Sequence, residues 1–533
     1  MFKQFAACAA ALAMVGAGAV SSTAAESTPI YMETVATGAT LKVLATAGDK
    51  IGNYYLPGVP DGLGVVPTKS GFKILMNHEL SPVGAVANLK RAGGNATGGA
   101  TITGLNFDTT TQSVTSASEF LRSATFFDYS KGKFAKTAVA PEYAAAMDDY
   151  GVPVHSNALN RFCSSSYAPA GSFLATVKGK KIGYSGGIYL TGEEGGNESR
   201  GFAVNTSGDL VQLPRLGLAP WETFNNVPTG NAITALIGGE DGAAIDSQLW
   251  MYVGKKTNVG NWYAKAGLTN GKNFVIKVAD AATDTEFRKV YGKGKIAEAT
   301  FSSVDWNSSG AIQNNQARMV GTSFTRIEDG VFDTKNPNIF YFNTTESNKD
   351  AKATSLNPDD RTVLKRDGGA LWRLTFKDVK NPLKGATIEM LLDGSEAPYL
   401  NKPDAIELDS AGNILIQEDP GNNEQLARVL AYNIETKKIA VIARFKSDYF
   451  SPTAPKKITM DEESSGIVEV TKYLRKAGDT KHYYLLDAQV HATTALSRPD
   501  ITDVEIKKEL EKLVEGGQLY LLTIDDWSKV AFK

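Results

Sequence analysis

Several places in the sequence set an acidic residue beside another acid, or beside a histidine, at the boundary of a β-prone run, among them His78-Glu79, Glu193-Glu194, Glu240-Asp241, Glu328-Asp329 and Glu418-Asp419. The clearest is Tyr189-Leu190-Thr191-Gly192-Glu193-Glu194-Gly195-Gly196, where the run ends in two carboxylates and a glycine pair. One such pair is ordinarily a turn, because Asp satisfies its own backbone there. A whole set ending strands is different, since like charges gathered in one cavity repel. A hard divalent cation such as Ca²⁺ is the usual remedy, with about six to eight oxygen ligands. The expectation is that these turns converge on one metal-rich centre.

The elements that would position them are short strands. Ile406 to Asp419 rises to a turn at Asp409-Ser410-Ala411-Gly412-Asn413 and returns into Ile414-Leu415-Ile416. Gly201 to Leu213, with its turn at Thr206-Ser207-Gly208-Asp209, has the same form. Strands at short, regular spacing with turn residues between them indicate a sandwich, barrel or propeller. The recurring turn followed by an acidic strand end favours an all-β propeller, whose blades meet at a central channel. Residues 121–165 read as an insertion, 346–367 as a polar surface loop and 501–515 as a short helix before the last strand.

Composition sets further bounds. The 533 residues are 42% hydrophobic and 21% charged, with 51 glycines and a net charge of −2. That is a globular composition, and the charge gives no argument for nucleic acid as a partner. Lys3, the apolar stretch from Phe5 to Val20 and Thr23-Ala24-Ala25 read as a secretion leader over 1–25. The folded unit, a single propeller domain, is expected over 26–533, exported to the periplasm or beyond the cell, with no membrane span. Cys8 leaves with the leader, so Cys163 is the one remaining thiol and reads as a small buried hydrophobe. Four histidines are too few for a histidine-rich zinc site.

The chain resembles the PhoX-type secreted alkaline phosphatases. The resemblance rests on Met76-Asn77-His78-Glu79, Leu190-Thr191-Gly192-Glu193-Glu194, Phe324-Thr325-Arg326-Ile327-Glu328-Asp329, the strand from Pro403-Asp404 to Glu418-Asp419, Ser464-Ser465-Gly466-Ile467 and Asp487-Ala488-Gln489-Val490-His491. It implies a six-bladed propeller with several calcium ions and iron in the channel, acting on a small phosphate ester. It also implies a cysteine just before the double glutamate, where this chain has Gly192. A divergent branch with a calcium-only centre is therefore expected, with iron in doubt.

On that resemblance the candidate metal ligands are Glu79, Glu193, Glu194, Glu240, Glu328, Asp329, Asp404, Glu418 and Asp419. Arg200 and Arg326 are candidate phosphate clamps, because a guanidinium binds phosphate oxygens bidentately. His78 and His491 are candidate proton donors. Two rivals stay open. The run Lys402-Pro403-Asp404 to Gly412-Asn413 also resembles blades of calcium-dependent lactonases, which hold about one catalytic calcium. The other rival is a non-catalytic interaction propeller rigidified by calcium. No Gly-x-Ser-x-Gly elbow is present, which argues against a classical serine hydrolase.

Overall fold

The computed structural model describes residues 28–83, 98–243, 246–347 and 367–533. The expected leader lies outside the described residues, as does most of the polar stretch 346–367. Six blades stand around one axis, antiparallel except where Ser123–Asp128 joins the outer edge of blade two in parallel, and the fold is an all-β propeller. Their inner strands are Pro60–Pro67, Phe162–Ala168, Trp221–Asn226, Ile327–Phe332, Pro403–Leu408 and Glu462–Glu469. Each packs beside the next, and the sixth packs beside the first.

Alternation along the strands explains why the blades stack. Successive side chains point to opposite faces of a blade, and both faces must be apolar because each blade is flanked by two others. Each blade-to-blade interface accordingly has its own core. Leu75, Ile102, Phe162 and Tyr189 fill the first interface, while Leu63, Ile74, Leu485 and Leu521 fill the last. Blades three and four are further joined edge to edge by Ile296–Val304 pairing with Ala386–Leu392. The ring is closed from the N-terminal side: Ala39–Thr46 is the outer strand of blade six, paired with Glu515–Ile524. Met32–Thr34 does the same for blade five.

The stretch 121–161 contributes Ser123–Asp128 and Lys133–Ala135 to the outer edge of blade two. Its remainder folds back over the Glu193-Gly196 turn, with Asp149 N donating to Gly195 O. Near 501–515 the chain forms the helix Val504–Leu510, capped by the Asp503 carboxylate. Among the described residues no helix is long and apolar enough to cross a membrane.

Candidate metal centre

The same local device recurs in every blade. The first residue of the inner strand pairs with the end of the second strand: Pro60 with His78, Phe162 with Glu193, Trp221 with Glu240, Ile327 with Thr344, Pro403 with Glu418 and Glu462 with Val490. Immediately afterwards the register slips in five blades, and in the sixth it slips after Ser464. Such a bulge re-aims the side chains beside it. The residues that follow the first position are Asp61, Cys163, Glu222, Glu328, Asp404 and Glu463; five of them are buried at the channel and Asp404 is half-buried. In four blades the residue before the strand is non-glycine with positive φ: Val59 (49°), Arg161 (44°), Arg326 (60°) and Lys402 (50°). Four repeats of a conformation that disfavours L-residues mark a geometry imposed by the ring.

A cavity of about 240 Å³ opens at this end of the channel. Nine carboxyl groups line it, on Glu79, Glu194, Glu222, Asp241, Glu328, Asp404, Asp419, Asp461 and Glu463, against the cations Arg161, Arg326 and His491. Two sets of donors close to within 4.8 Å of one another: Asp61 with Glu79 and Cys163, and Glu222 with Glu328 and Asp404. The Cys163 Sγ lies 3.4 Å from Asp61 Oδ2 and 3.0 Å from Glu222 Oε2, so the thiol joins the two sets. The Gln489 Nε2 has Asp61, Glu79 and Glu463 oxygens at 3.1, 3.2 and 3.2 Å.

The electrostatics are those of a site built for added positive charge. Burial, then the neighbouring acids, pushes Asp61, Glu222, Glu328 and Asp404 well above the carboxylate range, although Arg326 opposes this at Glu328. Burial raises Asp241 to about 6 even though Arg326 pulls it down. Burial, Asp61 and Glu222 raise the Cys163 thiol as well. The arginines offset part of the charge. Arg161 reaches Glu79 and, at 3.0 Å, Glu194 Oε2. Arg326 donates Nε and Nη2 to Asp241 at 2.8 and 2.6 Å. His491 sits 2.8 Å from Glu515 Oε2 through Nδ1 and 3.6 Å from Glu463 Oε2 through Nε2. Burial works against its charge, but the two carboxylates outweigh burial and raise its pKa.

These residues fit metal ions. Glu222 is fully buried, yet its Oε1 has no hydrogen-bond partner among the described residues. The all-oxygen set Glu222, Glu328 and Asp404 suits a hard cation such as Ca²⁺. The set with Cys163 suits a softer one such as iron.

Of the residues singled out from sequence, Glu79, Glu194, Glu328, Asp404, Asp419, Arg326 and His491 line this cavity. The others are engaged elsewhere, and alternation is the reason, since only one member of an adjacent pair can face the channel. Glu193 and Arg200 pair with each other inside the blade at 2.6 Å, and Arg200 also donates to Ser156 O and Ala158 O. Glu240 accepts from Trp250 Nε1, Gln248 N and Asn314 Nδ2. Glu418 pairs with Arg428 at 2.6 Å and accepts from Asn401 N. His78 bridges Gly58 O and Thr103 Oγ1. Asp329 accepts from Gly330 N and lines a separate cavity at the far half of the channel.

Gly192 is also re-read. A Cβ there would stand 2.3 Å from Trp221 Cβ, so the position belongs to the packing of blade two on blade three. Its lack of a thiol says nothing about the metals, whereas Cys163, expected as a hydrophobe, lies among the acids. Sequence reasoning missed Asp61, Glu222, Asp241, Asp461, Glu463 and Arg161. At Asp61 a signal was present: Pro60-Asp61 repeats Pro403-Asp404 at the same register position in two blades.

No family model matches this chain, and no curated protein matches it. Among solved structures it is similar to Pseudomonas fluorescens PhoX in complex with vanadate, a transition state analogue, with a TM-score of 0.59 and 11% identity. That similarity covers 94% of this chain and 97% of the other. A luciferin-regenerating enzyme is similar at a TM-score of only 0.30 and 8% identity, over 91% and 95% of the two chains. The likeness to PhoX is one of fold.

Proposed function

We propose that the channel cavity is a multi-metal phosphatase centre that binds calcium together with iron at Cys163, in an exported protein. The carrying observation is that six blades deliver buried acids and one thiol to a single cavity that also holds two arginines. The PhoX neighbour adds that a protein of this fold binds vanadate, a transition state analogue. Asp61, Glu79 and Cys163 would hold the softer metal, and Glu222, Glu328 and Asp404 the harder ones. Glu194, Asp241, Asp419 and Glu463 line the same cavity and are the further carboxylates available to the metals. When bound, the metals would supply charge neutralisation at the phosphoryl oxygens and a water of lowered pKa.

The protein's own groups do the rest. Each guanidinium has five N–H donors. Carboxylates and a backbone carbonyl engage Nε and Nη2 of Arg161, which leaves its Nη1 for a phosphate oxygen, while Arg326 gives Nε and Nη2 to Asp241 and turns Nη1 toward Glu346 Oε1 at 3.8 Å. Glu79, Glu194 and Asp241 fix the planes of those arginines, so little side-chain entropy is lost on binding. His491, charged between Glu463 and Glu515, holds a proton at Nε2 for the departing ester oxygen. As the oxygen of a water that has already released one proton to solvent bonds to phosphorus and the ester P–O bond breaks, the Nε2 proton moves to the alcohol. Two donor sets, one containing sulfur, favour this reading over a single-calcium lactonase. The test is hydrolysis of p-nitrophenyl phosphate before and after chelation, with metals added back. Chelator-sensitive turnover that Glu328→Gln abolishes is expected, and turnover indifferent to chelation would sink the proposal.

A further inference from the structure

Tyr150 stands at the mouth of this cavity, its ring over Arg161 with the guanidinium carbon 4.6 Å from the ring centroid. It is 56% exposed. The segment that carries it is fixed in place. Asp148 Oδ1 accepts from Tyr150 N at 2.9 Å and Val152 N at 2.7 Å, and its Oδ2 accepts from Asn160 Nδ2. Asp149 N donates to Gly195 O at 3.1 Å, tying the segment to the turn that carries Glu194. Tyr143 and Met147 on the same segment are also exposed, at 78% and 53%. Of these three exposed side chains, Tyr150 is the one that lines the cavity.

The cavity walls are charged almost throughout, and among the described residues Tyr150 is the one tyrosine, phenylalanine or tryptophan that lines them. Carboxylates on strand ends close the inner part. An ester whose phosphoryl group reaches Arg161 must therefore carry its alcohol portion out past Tyr150. A flexible alkyl alcohol would gain little there, whereas a flat aromatic group can stack or meet the ring edge-on. We infer that Tyr150 is a leaving-group platform and that the substrates are phosphate esters of aromatic alcohols. This rests on the phosphatase centre proposed above. A phenolic oxygen also leaves more readily than an alkoxide, which suits a centre rich in calcium.

Binding of phosphonates, which carry no ester to hydrolyse, separates the two claims. The metal-loaded protein, its metal content verified by mass spectrometry, is titrated calorimetrically with phenylphosphonate and with methylphosphonate. The intact protein should prefer the phenyl compound about two- to tenfold, the range of one aromatic pair. Tyr150→Ala should erase that preference while leaving methylphosphonate within about twofold, and Tyr150→Phe should keep it. Equal affinity for the two compounds in the intact protein, or an equal loss of both in Tyr150→Ala, overturns the platform and leaves the phosphate centre standing. If the metal-loaded protein binds neither compound, the phosphate centre falls and the platform with it.

Discussion

Cys163 and Glu222 carry the chemistry most open to test at the scale of single side chains. The thiol is buried between two carboxylates, which raise its pKa, so a thiolate forms there only if a cation takes the proton's place. Cys163→Ser should remove the softer metal while retaining calcium, and lower turnover at least tenfold. About ten- to a hundredfold is the scale at which even outer partners of a metal matter. Metal analysis of the variant beside its p-nitrophenyl phosphate rate checks both. Glu222→Gln should have opposite signs in two states. Without metals it removes a buried acid crowded by Asp61 and Glu194, so the melting temperature should rise. With calcium it removes a ligand, so the calcium-induced gain in melting temperature should shrink. A fall in both conditions would contradict the assignment of Glu222 to the metals.

Strands explain which of these residues could be read in advance. The acidic strand ends were visible because paired acids are rare at β-prone boundaries, and the propeller followed from the spacing of hairpins. Which member of a pair faces the channel was not visible, because it depends on register and on bulges that only the assembled ring sets. Hence Glu240 was singled out where Asp241 lines the cavity, and Glu193 along with Glu194. Asp61 and Glu222 escaped notice because each sits at the start of an inner strand, where one acid reads as an ordinary turn residue, whereas Glu463 ends the acidic run Asp461-Glu462-Glu463, a signal that was legible. Amides on second strands hold these starts in place: Asn77 Nδ2 donates to Cys163 O and to Thr191 Oγ1, and Asn343 Nδ2 donates to Asp404 O. Asn77→Leu would leave the buried Cys163 carbonyl without this donor, at a cost of about 1–3 kcal/mol, and should weaken metal retention. Gly192→Ala tests the packing role of that position. Its methyl group would press on Trp221 and should destabilise by about 1–3 kcal/mol with metal content unchanged. Urea melts and metal analysis of the two variants distinguish these outcomes.

The whole ring makes acid crowding a property of stability. In the folded chain, burial holds Asp329 up to about 7 and Glu240 to about 8, and Asp61, Glu222, Glu328 and Asp404 well above the carboxylate range. Unfolded, all of them titrate near about 4. Between those values the folded state binds more protons than the unfolded state, so stability falls as pH rises. The metal-free protein should therefore melt several degrees lower at pH 8 than at pH 5.5. Bound cations should flatten that slope, because they replace the protons the acids would otherwise keep. Differential scanning calorimetry across that range, with and without chelator, reads the slope directly.

Whether the six blades converge on a metal centre is read from the metal content of the purified protein. Mass spectrometry of the native protein should find at least two metal ions per chain, one for each donor set. Calcium should be among them, together with a softer metal that disappears in Cys163→Ser. A protein that carries no metal when purified in the presence of calcium and iron, and whose melting temperature is the same with and without them, would contradict the account.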